Sequence, residues 1–120
     1  MPRVALMSNG VVLAADVGTV FRFTPGSGWD QQTIATNAFG ESRLSLFEGN
    51  QAVLTYPILT NNSVVVNYSL YTNGEWQPPQ ATPYQGNPNA PVTQESAMAP
   101  TGETVLVIDG GPSAATWLRP

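Results

Sequence analysis

The chain has 120 residues, enough for one domain, and its composition excludes several kinds of chemistry. Four basic residues, all of them Arg, stand against eight Asp and Glu residues, and the net charge of −4 disfavours nucleic acids and anionic membranes as partners. Cys and His are absent, which excludes disulfides, thiol nucleophiles, imidazole acid–base chemistry and the usual zinc sites. The composition therefore predicts no catalytic residue of these types, no metal site and no cofactor.

Targeting and membrane segments are also missing from the pattern. The most apolar early stretch, Val11–Ala15, is shorter than the roughly 7–15 apolar residues of a signal-peptide core. No stretch approaches the roughly 20 apolar residues of a membrane-spanning helix. We therefore expect no signal peptide and no contact with membranes. Met1 is interpreted as a cytosolic start, or as a start placed on a mature or excised domain.

The hydrophobic pattern predicts strands throughout the chain. No window shows the i, i+3, i+4, i+7 spacing of an amphipathic helix, whereas short β-branched and aromatic runs alternate with turn pairs such as Asn9-Gly10 and Asn73-Gly74. A Pro-rich loop is predicted over 83–94. In chain order, the predicted strands are Arg3–Ser8, Val11–Asp16, Thr19–Thr24, Trp29–Ile34, Arg43–Glu48, Ala52–Leu59, Ser63–Tyr71, Trp76–Thr82, Glu95–Ala99, Thr104–Asp109 and Ala114–Arg119.

The predicted strands recur in three copies, of which the last is incomplete, over residues 2–41, 42–94 and 95–120. The step from Arg3 to Arg43 is 40 residues. Leu13 and Leu54 are 41 residues apart, and Leu106 follows after 52 more. We predict that these three leucines occupy equivalent, buried positions on the second strand of each copy.

A period of about 40–50 residues with four strands in each unit is typical of a β-propeller blade. We therefore predict a single all-β unit, 1–120, made of antiparallel four-stranded β-propeller blades in about two and three-quarter repeats. The alternative is a β-sandwich of the immunoglobulin type, in which the repeat is a coincidence of hairpins. Because this number of blades does not close a ring, we expect self-association into a complete ring, or membership of a longer propeller.

Four short motifs carry a resemblance to a known class of proteins: Asn9-Gly10-Val11-Val12-Leu13, Gly49-Asn50-Gln51-Ala52-Val53-Leu54, Gly28-Trp29 and Asn73-Gly74-Glu75-Trp76. In these motifs the chain resembles the degenerate blade repeats of secreted bacterial β-propeller proteins. The resemblance implies a scaffold or binding role in an extracellular or cell-surface protein. The Trp-Asp ending of WD-repeat blades and the Ser-x-Asp-x-Gly-x-x-Trp box of sialidase blades are missing.

Five residues are candidates for ligand binding: Trp29, Trp76, Tyr84, Asp16 and Asp109. Aromatic faces stack on the apolar faces of sugars, but Trp residues at matching places in two copies are explained more simply by packing between neighbouring blades. Each Asp precedes a glycine-containing turn, where its side chain accepts backbone N–H bonds, so a structural role is favoured for both.

The residue types that remain disfavour an enzyme without excluding one. The leading hypothesis is a non-enzymatic β-propeller repeat unit that acts as a scaffold or binding module for a carbohydrate or a protein. The competing hypothesis is a fragment of a glycoside hydrolase or sialidase-like propeller. Glycoside hydrolysis needs two facing carboxylates, and the sequence alone places no such pair.

Overall fold

The computed structural model describes residues 3–38, 40, 42–86, 93–98, 104–109 and 113–119. Within these residues the chain is all-β, with strands and turns and no helix. None of the described segments is therefore a helix long and apolar enough to cross a membrane. The strands are β1 (Arg3–Leu6), β2 (Val12–Asp16), β3 (Thr19–Thr24), β4 (Gly28–Thr33), β5 (Arg43–Phe47), β6 (Gln51–Thr60), β7 (Ser63–Thr72), β8 (Glu75–Trp76), β9 (Gln80–Gly86), β10 (Thr93–Met98), β11 (Thr104–Asp109) and β12 (Ser113–Arg119).

The strands form three antiparallel sheets that follow one another along the chain. The first sheet contains β1–β4 and the third contains β10–β12, each in chain order. The second contains β5–β9, with β8 and β9 both paired to β7. The turn between β7 and β8 shows why these meanders form, because Asn73 and Gly74 adopt positive φ angles of 54° and 79°. Asn-Gly pairs tolerate this conformation, which two-residue hairpin turns require.

The outer strand of the second sheet differs from the sequence prediction. The pattern predicts one strand over Trp76–Thr82, but β8 ends at Trp76 and β9 begins only at Gln80. Pro78 and Pro79 lie between them, and proline has no N–H to donate to β7. β9 then continues to Gly86, inside the segment predicted as a Pro-rich loop.

The three sheets stack face to face, with the second sheet in the middle. β1 contacts β5 and β5 contacts β10, so the first strands of the sheets lie side by side. In the second and third sheets, we call the side that faces the preceding sheet the front face and the opposite side the back face. In the first sheet, the back face is the side that faces the second sheet, and the front face is the other side. Leu13, on the back face of the first sheet, packs with Ala52 and Tyr71 on the front face of the second. Both faces of the second sheet are buried, as Leu54 on the front and Val53 on the back illustrate.

The strand registers relate the first two sheets residue by residue. In the first sheet, one cross-strand row consists of Leu6, Val12, Phe23 and Trp29. The row in the same place in the second sheet consists of Leu46, Ala52, Tyr71 and Trp76. Each row ends in a Trp beside an aromatic ring, with centroids 5.3 Å apart in the first sheet and 5.1 Å apart in the second. The two tryptophans therefore hold equivalent positions on the front faces of their sheets.

The equivalence predicted for Leu13 and Leu54 is wrong, although both side chains are fully buried. Leu13 lies on the back face of its sheet and Leu54 on the front face of the next. The registers put 40 residues between equivalent positions on β2 and β6, so Leu13 corresponds to Val53. A shift of one residue moves a side chain to the other face of a sheet. The side chain of Leu106, on β11, lies outside the described residues.

Three stacked sheets also differ from the two-sheet sandwich that the sequence leaves as the alternative. The described residues form neither a closed ring nor a barrel. The copy boundary predicted after residue 94 falls inside β10, which begins at Thr93. β5 and β10 are joined by an ion pair of 2.7 Å between Arg43 Nη2 and Glu95 Oε1, whose exposed side chains contribute little to stability.

Candidate functional site

A cleft opens between the first and second sheets, beside β3, β4 and β8, and has a volume of about 340 Å³. The back face of the first sheet forms one wall, and the β7–β8 hairpin of the second sheet forms the other. The lining residues are Val20, Arg22, Asp30, Gln32, Glu75 and Trp76. We refer to this site as the intersheet cleft.

The β3–β4 hairpin positions the polar wall of the intersheet cleft. Val20 pairs with Gln32, and Arg22 pairs with Asp30 across the two strands. These residues are two apart on each strand, and side chains at that spacing point to the same face of a sheet. Trp76 reaches the cleft from the opposite wall, on the two-residue strand β8. Two separate sheets therefore build the site, and neither hairpin forms it alone.

Arg22 is the cation of the intersheet cleft, and its N–H groups are engaged by both sheets. Its Nε and Nη2 donate to the same oxygen of Asp30, Oδ2, at 3.2 and 2.9 Å. Its Nη1 donates to the carbonyl oxygen of Gly74 at 2.5 Å and, over a long 3.5 Å, to the hydroxyl of Tyr71. The hydrogen bonds with Tyr71 and then with Asp30 raise the pKa of Arg22 above its usual value, so the guanidinium stays charged.

Other polar groups of the cleft have no partner among the described residues. The indole Nε1 of Trp76 is buried and donates no hydrogen bond. Because both Arg22 bonds end on Oδ2, the second oxygen of Asp30 accepts none from the described part of the chain. Glu75 is also one of the lining residues, and its side chain is exposed. An unpaired buried N–H costs free energy, so an acceptor on a bound molecule or water is expected beside Trp76.

This arrangement suits a neutral molecule that carries several hydroxyl groups. The two carboxylates and one guanidinium give the cleft a net negative charge, which repels anionic ligands. Hydroxyl groups both donate and accept, and they match the mixture of the Trp76 N–H with the oxygens of Asp30 and Glu75. The indole ring, which is only partly buried, offers apolar surface for the carbon face of the same molecule.

A second cavity of about 340 Å³ lies at the same sheet interface, and Tyr56, Ile58 and Asn67 are part of its lining. Burial raises the pKa of Tyr56, and hydrogen bonding to Ser69 and then Asn67 opposes part of that rise. The hydroxyls of Tyr56 and Ser69 and the Oδ1 of Asn67 are buried close together, but none of them has a well-formed hydrogen bond to the described residues. Ordered water typically satisfies such a cluster, so we assign this cavity a structural role.

The predicted binding residues are dispersed over the molecule. Trp76 reaches the intersheet cleft. Trp29 lies on the front face of the first sheet, 64% exposed, and its ring is tilted by 56° against that of Phe23. Asp16 is exposed at the end of β2. Among the described residues its carboxylate accepts no hydrogen bond from the following turn, contrary to the capping role that the sequence favours.

Tyr84 and Asp109, the remaining candidates, lie elsewhere. Tyr84 is 2% exposed in β9, and its backbone N–H donates to the hydroxyl of Thr82 at 3.3 Å. That hydroxyl donates in turn to the carbonyl oxygen of Val66 at 2.8 Å, so Tyr84 belongs to a buried part of the second sheet. Asp109 ends β11, and its side chain lies outside the described residues.

Sequence reasoning missed most of the cleft residues. Arg22, Asp30, Gln32 and Glu75 were not among the candidates. A usable signal was present, because a hairpin centred on the turn at 25–27 pairs Arg22 with Asp30. Opposite charges at facing positions of two strands indicate a shared face. The contribution of Glu75 and Trp76 depends on sheet stacking, which the pattern does not contain.

Comparisons with known proteins identify no relative of this chain. No family model matches the sequence, and no curated protein or solved structure is significantly similar to it. Within the described residues, no group of three or more acidic side chains is placed to hold a metal ion. The geometry of the intersheet cleft is therefore the basis for a functional proposal.

Proposed function

We propose that the chain is a non-enzymatic unit of β-propeller blades that acts as a binding module for neutral carbohydrate, with the intersheet cleft as its site. The observation that carries the proposal is the buried Nε1 of Trp76, which has no hydrogen-bond partner among the described residues and belongs to a cleft that Asp30 and Glu75 also line. A sugar hydroxyl would accept from the indole N–H while neighbouring hydroxyls donate to the carboxylates. The carbon face of the sugar ring would rest on apolar surface of the same cleft.

The arrangement of the sheets supports blade architecture. Each sheet is an antiparallel meander, and the three first strands β1, β5 and β10 lie side by side. In a propeller, blades pack face to face around the edge formed by their first strands. The resemblance of the second-strand and fourth-strand motifs to blade repeats of secreted bacterial proteins agrees with this architecture. An extracellular or cell-surface setting, where carbohydrates are displayed, is part of the proposal.

The charge of the molecule supports a neutral ligand over the other classes. Phosphate binding needs clustered cations, whereas the chain has a net charge of −4, and the one Arg of the cleft is paired with Asp30. A sialidase-like site likewise needs free guanidinium groups to hold a substrate carboxylate. Arg22 is engaged by Asp30, Gly74 and Tyr71, so it is not free for that role.

The proposal is tested by glycan-array binding, followed by calorimetric titration of the best neutral oligosaccharide. We expect Glu75→Gln and Trp76→Ala to weaken binding at least about tenfold, which corresponds to one or two lost hydrogen bonds and a lost stacking surface. Trp29→Ala is the matched control, because Trp29 holds the equivalent position in the first sheet but is remote from the cleft. It should bind like the wild type.

Two results would contradict the carbohydrate proposal. One is a folded wild-type chain that binds no neutral glycan at millimolar concentration. The other is binding that Trp29→Ala abolishes and Glu75→Gln leaves intact. Because Trp76 also contacts the core, the isosteric change at the exposed Glu75 decides the case if Trp76→Ala is destabilised.

A fragment of a glycoside hydrolase or sialidase-like propeller is the second candidate function. The observation in its favour is that Asp30 and Glu75, two carboxylates, line one cleft, as glycoside hydrolysis requires. Hydrolysis of a chromogenic glycoside, abolished by Glu75→Gln or Asp30→Asn, would support it. Binding without turnover would support the binding module. Substitution of Asp16, which is not among the described cleft residues, should affect neither.

A further inference from the structure

The stack of sheets leaves an apolar face uncovered at each end. On the front face of the first sheet, Val4 is 72% exposed and Leu6 is 67% exposed. Trp29 completes this surface at the other edge of the same sheet. On the back face of the third sheet, Val105 and Val107 are 44% and 48% exposed. Glu95, paired with Val107 on the same back face, adds an exposed carboxylate beside these valines. Exposed apolar surface of this kind marks an interaction surface.

Each uncovered face has a buried counterpart inside the stack. The front face of the second sheet, with Leu44, Tyr71 and Trp76 in the positions of Val4, Phe23 and Trp29, is covered by the back face of the first sheet. In each sheet the first two strands form a hairpin, and the registers centre these hairpins on residues 9, 49 and 101. Leu13 on β2, Val53 on β6 and Val105 on β11 each follow that centre by four residues, so they hold equivalent positions. Both Val53 and Leu13 are fully buried. The internal interface is thus a template for joining the two ends.

We propose that the front face of the first sheet docks on the back face of the third sheet of a second copy of this chain, and that two such contacts close a dimer. At each junction, the third sheet of one copy packs against the first sheet of the other copy. This contact repeats the packing between neighbouring sheets inside each chain. Six sheets complete one ring. This inference rests on the blade architecture of the proposed function.

The size of the faces is sufficient for a specific dimer. At a strand spacing of about 4.8 Å and a rise of about 3.3 Å per residue, each end face measures about 300 Å². Two contacts between two copies therefore remove at least about 1,200 Å² from water, the lower limit of specific interfaces. The pairing is heterologous, and closure after two copies leaves no apolar face for a third.

Sedimentation equilibrium and native mass spectrometry of the complete chain test the proposal at micromolar concentration. We expect twice the mass of the single chain. Leu6→Glu on the front face and Val107→Glu on the back face should each raise the dissociation constant at least about 30-fold, because a charge is buried in the contact. Leu59→Glu is the control, since Leu59 is exposed on β6 outside both end faces.

Mixing the two variants tests which faces meet. Leu6→Glu keeps an intact back face and Val107→Glu keeps an intact front face, so their equimolar mixture should regain heterodimers through one intact contact. A chain carrying both substitutions should remain monomeric in every mixture. A wild-type monomer at 100 μM overturns the proposal. So does a dimer that Val107→Glu leaves unchanged, because that dimer pairs two front faces.

Glycan titration of the Leu6→Glu monomer separates this proposal from the carbohydrate site. The cleft lies between the first and second sheets of one chain, so the Leu6→Glu monomer should still bind glycan. A wild-type chain that binds glycan but stays monomeric overturns the docking alone. A wild-type dimer that binds no glycan overturns the binding function alone.

Discussion

The front faces of the first and second sheets carry similar rows of residues and meet different surroundings. In the first sheet the row of Leu6, Val12, Phe23 and Trp29 faces outward. In the second sheet, Ala52, Tyr71 and Trp76 of the corresponding row lie against the back face of the first sheet and belong to the core, whereas Leu46 is exposed. The comparison shows that the alternation of apolar and polar residues specifies which face of a strand is apolar. It does not specify whether that side becomes core or surface.

The polar residues of the two sheets differ for the same reason. Tyr56 on β6 and Asp16 on β2 are equivalent in register, 40 residues apart. Tyr56 is fully buried against the first sheet, whereas Asp16 stands exposed where no described sheet covers it. The intersheet cleft exists only where two sheets face each other, so the functional proposal depends on the front face of the second sheet, which the first sheet covers.

The largest expected effect comes from truncating the covered face. Leu54→Ala should cost about 2–5 kcal/mol in the free energy of unfolding, because it leaves a cavity between two sheets. Val4→Ala, on the uncovered front face of the first sheet, should change stability by less than about 0.5 kcal/mol. Urea denaturation in dilute solution measures both. Equal losses at the two positions would mean that the first sheet is covered as fully as the second.

Two glycines sharpen the comparison between turns of the first and second sheets. Gly18 and Gly74 have nearly the same φ, 78° and 79°, but a Cβ on Gly18 would collide with the carbonyl oxygen of Ala35, while space around Gly74 is open. Gly74→Ala should therefore cost about 1–2 kcal/mol from backbone strain alone. Gly18→Ala should cost about 2–4 kcal/mol.

The measurement for these glycines is thermal or urea unfolding of both variants. The larger loss at Gly18 has a second cause, because its carbonyl oxygen accepts hydrogen bonds from the N–H groups of Ile34 and Ala35 at 2.7 and 3.1 Å. Any displacement of this turn weakens both bonds. Equal losses at Gly18 and Gly74 would show that the first sheet is free to shift away from residues 34–35.

The smallest effect concerns the pH dependence of stability. Burial raises the pKa of Tyr56 above its ordinary value of 10.0, so the unfolded chain loses this proton at a lower pH than the folded chain. The contribution of the neutral Tyr56 phenol to the free energy of unfolding is complete below about pH 10, and it is lost as the pH rises through the raised pKa. Tyr56→Phe should remove this part of the alkaline loss, which unfolding between pH 8 and 11 measures. Parallel alkaline profiles for the two chains would contradict burial of the phenol.

Much of the local structure was predictable from sequence. The strand predicted over Thr19–Thr24 matches β3, and that over Thr104–Asp109 matches β11, because β-branched and aromatic runs end at strong turn signals. The hairpin partners follow from turn length. The predicted strand over Trp76–Thr82 failed because adjacent prolines interrupt pairing, a local signal that the alternation obscured.

Register and stacking were decided by tertiary structure. The sequence matched Leu13 with Leu54, but a shift of one residue reverses the face, and only the strand pairing selects between 40 and 41 residues. The cleft joins Arg22 and Asp30 from one sheet to Glu75 and Trp76 from another, across more than forty residues of chain. By itself the sequence determined strands, turns and apolar faces, since these depend on near neighbours. Which faces meet, and which polar groups share a cleft, depends on packing between sheets that no local pattern encodes.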